Sequence, residues 1–213
     1  MMGEWAMLAN AEGAARRIAL IAVAVPLLLL VPGLLGPGWI AAGCFAAAGL
    51  IIGLATRNLQ LAGGPLYVGL PALALLFVRS QPLGLMLAFW TLALVWATDI
   101  GAYFAGRLIG GPKIAPSVSP NKTWAGLGGG VIAALAIGLA FHAWGGLPLG
   151  LAIASAPLAA VAQAGDFFES ALKRNAGVKD SGTILPGHGG VLDRLDGVVP
   201  VSIVVALVLA AGV

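Results

Sequence analysis

Five polar side chains, Asp166, Glu169, Ser170, Lys173 and Arg174, stand at i, i+3, i+4, i+7 and i+8 in an otherwise apolar stretch. On a helix of 3.6 residues per turn they share one face, within an arc of roughly 140°. A charge in hydrocarbon costs about 2.5–3.5 kcal/mol, so this stripe has to face a cavity or polar partners. A salt-bridge ladder at a helix end is the plainer alternative. The segment that follows reads Lys179-Asp180-Ser181-Gly182, then Pro186-Gly187-His188-Gly189-Gly190-Val191-Leu192-Asp193-Arg194-Leu195-Asp196. Glycines on both sides of His188 let backbone approach a ligand and present N–H groups to phosphate. Asp193 and Asp196 are spaced i, i+3 and project to one side if a helix starts there. With Asp166 they form a set of hard oxygen donors of the kind Mg²⁺ prefers. Capping of the next helix accounts for one of these carboxylates, but poorly for Arg194 and the Gly-His-Gly-Gly run.

Upstream, Asp99, Tyr103 and Arg107 again follow i, i+4, i+8. Beyond Lys113 come Ser117-Val118-Ser119-Pro120-Asn121-Lys122-Thr123-Trp124. Hydroxyls, an amide and a lysine just before a helix suit a phosphate or a base edge, because helix N-termini favour anions. A capped helix start with an interfacial Trp124 is the alternative.

The elements that must position these groups are membrane helices. Of 213 residues, 60% are hydrophobic and only 9% are charged, with a mean hydropathy of +1.02. A soluble domain carries about 25% charged residues. Soluble enzyme, disordered chain and nucleic-acid-binding domain are excluded on that ground. The 32 glycines suit closely packed membrane helices. Apolar runs predict seven helices, near 18–35, 39–56, 64–78, 83–105, 124–144, 149–172 and 198–213. The third contains Pro71, so a tilted, kinked or partly re-entrant segment is expected there. Cys44 lies in an apolar run and reads as packing, and His142 as interfacial. Glu4 and Glu12 argue against a cleavable signal.

The expected fold is all-α, a polytopic helical bundle forming one membrane domain over 1–213. Residues 1–95 read as apolar scaffold, 96–197 as the catalytic part, and 198–213 as the last helix. With the N-terminus inside, the inner segments hold Arg16, Arg17, Arg57, Arg107, Lys113, Lys122, Lys173, Arg174, Lys179 and Arg194, and the outer ones only Arg79. Lysine and arginine concentrate on the cytoplasmic side. This predicts N-in, C-out, with segments 106–123 and 173–197 on one, cytoplasmic, face. Six of the eight acidic residues lie between Asp99 and Asp196, so the chemistry belongs to the C-terminal half.

These motifs together resemble the signature of the phosphatidate cytidylyltransferase (CDP-diacylglycerol synthase) family. The likeness runs through Asp99-x-x-x-Tyr103-x-x-Gly106-Arg107, Ser119-Pro120-Asn121-Lys122-Thr123-Trp124, Ser170-x-x-Lys173-Arg174, Lys179-Asp180-Ser181-Gly182 and Pro186-Gly187-His188-Gly189-Gly190-x-x-Asp193-Arg194-x-Asp196. It covers about residues 95–197. The N-terminal helices match only as generic spans, and the chain looks like a short variant of bacterial members. Ala125 stands where the family often has an acidic residue.

The resemblance implies the reaction CTP + phosphatidate → CDP-diacylglycerol + pyrophosphate, in a bacterial inner membrane with the site facing the cytoplasm. It implies Mg²⁺, with K⁺ as an optional second cation. On this reading Asp166 and Asp196 ligate Mg²⁺, and Asp193 completes or supports the site. Lys173, Arg174, Lys179 and Arg194 bind the triphosphate and the phosphatidate headgroup, with Asp180 among the catalytic group. His188 orients or binds phosphate, with loop packing as its alternative. Ser119, Asn121 and Lys122 position the nucleotide or lipid phosphate. Asp99, Tyr103, Arg107, Ser170, Gly189 and Gly190 complete the substrate-binding set. Glycine-rich helices such as 126–138 fit packing within the chain or across a homodimer. Other CTP-using membrane transferases and lipid kinases would share metal and nucleotide and differ in acceptor. The spaced motif of CDP-alcohol phosphatidyltransferases is not found. A transporter would place charge near helix midpoints, whereas here it clusters at cytoplasmic ends.

Overall fold

In hydrocarbon the backbone can satisfy its polar groups only within itself, so long apolar runs must be helical. A computed structural model of the chain describes residues 1–31, 36–182 and 189–212; a helix stands in each of the expected apolar runs, and the end of the first run, 32–35, lies outside the described residues. They are α2 (Gly13–Leu29), α3 (Trp39–Thr56), α4 (Leu59–Ser80), α5 (Gly84–Leu108), α6 (Trp124–Gly145), α7 (Leu149–Asn175) and α9 (Val198–Ala210). Five of them, α3 to α7, are long and apolar enough to cross a membrane. At 17 and 13 residues, α2 and α9 are shorter.

Local features add to the sequence expectation. α4 runs 22 residues through Pro65 and Pro71: each proline removes one backbone donor, and the helix continues past both. A short helix α1 (Met2–Leu8) precedes α2, and a single-turn helix α8 (Leu192–Leu195) precedes α9. The segment between α5 and α6 contains an antiparallel hairpin, β1 (Lys113–Ala115) with β2 (Ser119–Thr123). Its turn closes through the Val118 N–H on the Ala115 carbonyl at 3.1 Å. Pro116 at the second turn position is a natural turn starter.

The chain divides into two compact units. One unit comprises Met1–Phe77 and Leu172–Leu195. Its core holds Trp5, Leu8, Phe45, Ile52, Leu61 and Leu192. Trp5 stacks on Tyr67 at 4.6 Å and donates its indole N–H to the Gln60 carbonyl at 2.8 Å. The signature segment is thus built into the same core as the N-terminal helices.

The other unit comprises Val78–Ala171 and Asp196–Val213. Its core holds Trp90, Leu94, Leu158, Ala159, Val201 and Val205, all buried. The Trp90 indole donates to Ser155 Oγ at 3.0 Å, tying α5 to α7. α5 and α6 approach closely at Gly101 and Gly129. A Cβ on Gly129 would stand 2.7 Å from the Gly101 carbonyl oxygen, so only glycine permits this crossing.

Candidate active site

In the second unit the backbone brings Asp166 and Asp196 together. Gly165 of α7 lies against the Asp196 carbonyl and the Pro200 ring, where a Cβ would overlap both. Asp166 follows Gly165, so this close approach sets the two carboxyl groups in one neighbourhood. Lys122 enters from the end of β2. Thr123 caps α6 by accepting the Gly126 N–H at 3.0 Å, which fixes the backbone beside it. The Lys122 ammonium then sits 2.5 Å from Asp166 Oδ2 and 4.1 Å from the centroid of the Phe167 ring. Ser170 donates to Asp166 Oδ1 at 3.3 Å.

The electrostatics are lopsided. The half-buried Asp196 carboxyl is pushed from its ordinary 3.8 up to about 7, first by burial and then by the like charge of Asp166. Asp99 adds to the rise, while the Gly197 N–H and Lys122 oppose it. Two carboxylates that repel, with an oxygen-only donor set, suit a hard divalent cation. Among the described residues no three Asp, Glu, His or Cys side chains are arranged to hold a metal ion. A cation taken by Asp166 and Asp196 would draw its remaining ligands from water and substrate phosphate, as Mg²⁺ commonly does.

On α5 of the same unit, Arg107 donates to the Tyr103 hydroxyl at 2.6 Å and stands 5.9 Å from its ring centroid. Asp99, Tyr103 and Arg107 are exposed, as is Asn121, and Ser119 is half-buried. Glu169, part of the predicted polar stripe, is buried at 1% exposure.

In the first unit Asp193 is enclosed by donors. Its Oδ1 takes the Lys173 ammonium at 2.7 Å. Its Oδ2 accepts from Gly190 N at 2.7 Å and from Ser181 N and Ser181 Oγ, each at 2.9 Å. The structure therefore brings Lys173, Ser181, Gly190 and Asp193 into one knot. Gly189 adopts φ +82° there, a conformation that favours glycine. Arg174, Lys179, Asp180 and Arg194 are exposed around this knot. His188 lies outside the described residues.

Sequence reasoning missed three contributors. Ser181 supplies two donors to Asp193, Phe167 lies under Lys122, and Glu4 of α1 reaches the signature turn. The Lys179-Asp180-Ser181-Gly182 motif pointed to the first. No local signal distinguishes the other two from packing residues.

A cytidylyltransferase family model matches residues 1–211. A phosphatidate cytidylyltransferase of Brucella suis biovar 1 (strain 1330) is 45% identical over 183 residues, 84% of this chain and 67% of that protein. One of Bacillus subtilis (strain 168) is 42% identical over 135 residues, 62% of this chain and 50% of its own. One of Haemophilus influenzae (strain ATCC 51907 / DSM 11121 / KW20 / Rd) is 47% identical over 120 residues, 53% and 42% of the two chains. The polar motifs, the paired carboxylates beside Lys122 and a family match over nearly the full length agree: this chain belongs to the cytidylyltransferase family.

Proposed function

We propose that this protein transfers the cytidylyl group of CTP to phosphatidate, forming CDP-diacylglycerol and releasing pyrophosphate. The observation that carries the reading is the Asp166–Asp196 pair beside Lys122, in a chain similar to phosphatidate cytidylyltransferases. A phosphatidate oxygen attacks the α-phosphorus of CTP, a new P–O bond forms, and the bond to the departing pyrophosphate breaks. A phosphate monoester is already largely ionised at neutral pH, its second pKa being about 6, so no general base is required. The demand on the protein is positioning and charge neutralisation.

Asp166 and Asp196 would hold Mg²⁺, which when bound polarises phosphoryl oxygens and offsets their charge. Lys122 neutralises Asp166 before substrate arrives and stands where it can turn to a phosphate. Asp193 orients Lys173, and Lys173, Arg174, Lys179 and Arg194 would bind the triphosphate and the phosphatidate headgroup. Ser119, Asn121, Tyr103 and Arg107 would bind the nucleotide or the headgroup.

One substrate is a lipid and the other is soluble, so the reaction belongs at the membrane surface. Segments 106–123 and 173–197 are separated by α6 and α7, both long enough to cross. Two crossings return the chain to the side it left, and the positive-inside rule makes that side the cytoplasm of a bacterial inner membrane. Counting α2 and α9 as spans gives seven crossings with N-in, C-out.

The test is incubation of purified protein with α-labelled CTP, phosphatidate and Mg²⁺. A labelled liponucleotide with one equivalent of pyrophosphate is expected. No liponucleotide from phosphatidate, or product only from another lipid phosphate, would replace this reading with a different acceptor.

A further inference from the structure

Glu4 lies in the seven-residue helix α1 and is 3% exposed. It belongs to no polar motif described above. Its carboxylate accepts the Val191 N–H on Oε1 at 2.7 Å and the Leu192 N–H on Oε2 at 3.0 Å. These are the backbone donors at the opening of α8, next to Gly190 and Asp193. Charge-assisted bonds of this kind are about twice as strong as neutral ones. The surroundings are shaped for the contact. A Cβ on Gly190 would stand 2.7 Å from Glu4 Oε1, and one on Gly182 would stand 2.9 Å from Glu4 Cγ. Gly182 therefore makes room for the Glu4 side chain, and Gly190 for Glu4 together with the Ser181 hydroxyl. Trp5 and Leu8 anchor α1 in the core that also contains Leu192.

We infer that Glu4 is a positioning residue for the proposed reaction. It holds the turn 189–193 so that Asp193 faces Lys173 and Ser181. The route is continuous: the Glu4 carboxylate fixes two backbone N–H groups, these fix the Gly190 and Asp193 backbone, and Asp193 fixes the Lys173 ammonium. Glu4 touches no substrate in this scheme. The inference rests on the reading that the 173–196 segment serves cytidylyl transfer.

The experiment compares the full chain with its Glu4→Gln variant in detergent micelles. Hydrogen exchange is followed in peptides covering 189–195, and kinetics with CTP, phosphatidate and Mg²⁺. Gln keeps the shape but places an amide donor against a backbone donor. Amide protection at 191–192 should fall about tenfold or more, while peptides from α5 and α9 stay unchanged. Because orientation acts on the reacting complex, kcat should fall about tenfold with KM for CTP within about twofold. Glu12→Gln, at an exposed position, should change neither. Protection that persists in Glu4→Gln overturns the inference, and so does lost protection with kcat unchanged. If Glu4→Gln does not fold, Glu4→Asp, one methylene shorter, should show the same changes, and wild-type values would sink the idea. In a wild-type chain without turnover the functional reading falls, and exchange alone decides whether Glu4 holds the turn.

Discussion

Asp193 and Asp196 are three residues apart and belong to one signature, yet they occupy opposite electrostatic situations. Asp193 takes a lysine ammonium and three further hydrogen bonds on its two oxygens. Asp196 takes one backbone N–H, from Gly197 at 2.7 Å, and feels the charges of Asp166 and Asp99. A carboxylate surrounded by donors is committed to its own fold. One that is held against other carboxylates is short of positive charge and ready to bind it. Residue type and spacing nominate candidates for a site, while the donors around each one separate a carboxylate held by its own fold from one short of positive charge.

The largest effect that would sharpen the contrast is expected at Asp196. Asp196→Asn should lower Mg²⁺-dependent turnover about 10²–10³-fold or more, with the thermal midpoint held or raised, since it removes a repulsive charge. Near-normal activity in the labelled-CTP assay would take Asp196 out of the site. Asp193→Asn should behave the other way round. It leaves the Lys173 ammonium without its charged partner in a mostly buried place, at a cost of about 3 kcal/mol. A lower unfolding midpoint in detergent would register this, with lost activity as a consequence. An Asp193→Asn chain as stable as wild type would erase the distinction between the two aspartates.

The pH dependence tests the same contrast with a smaller effect. An unfolded Asp titrates near 3.8 and the folded Asp196 near 7, so between these values the folded state holds the extra proton. Metal-free stability should therefore fall as pH rises from about 4 to about 7. Mg²⁺ needs the deprotonated form, so its apparent affinity should weaken as pH drops below about 7, by up to about tenfold per unit. Mg²⁺ titrations at three pH values, read by the thermal midpoint, check both signs. A flat response would mean that Asp196 is not held against the other carboxylates. The smallest change is expected at Thr123→Ala, which removes the α6 cap beside Lys122 and should cost about 1 kcal/mol of stability.

Much of the fold was legible because its cause is local. A run of about 20 apolar residues is helical wherever it lies in a membrane, so α2 to α7 and α9 are found where hydropathy put them. The charge stripe on α7 was also legible, because helical period alone sets its face. The hairpin before α6 was not: its three- and five-residue strands are too short for a period to stand out. Nor was the kinship of the N-terminal helices with the signature segment. That contact joins Glu4 to Val191 across 187 residues, and nothing near either position announces the other.

Hydropathy and residue order alone established that this chain has helices fit to cross a membrane, where the long ones run, and which polar side chains are candidates for its chemistry. Those properties follow from the hydrophobicity and order of neighbouring residues. Only the tertiary structure decided that Asp193 is occupied by Lys173 and Ser181, that Lys122 leans on Asp166 and Phe167, and that Glu4 braces the signature turn. Each depends on groups distant in the chain meeting at hydrogen-bond distance, and that is a property of packing.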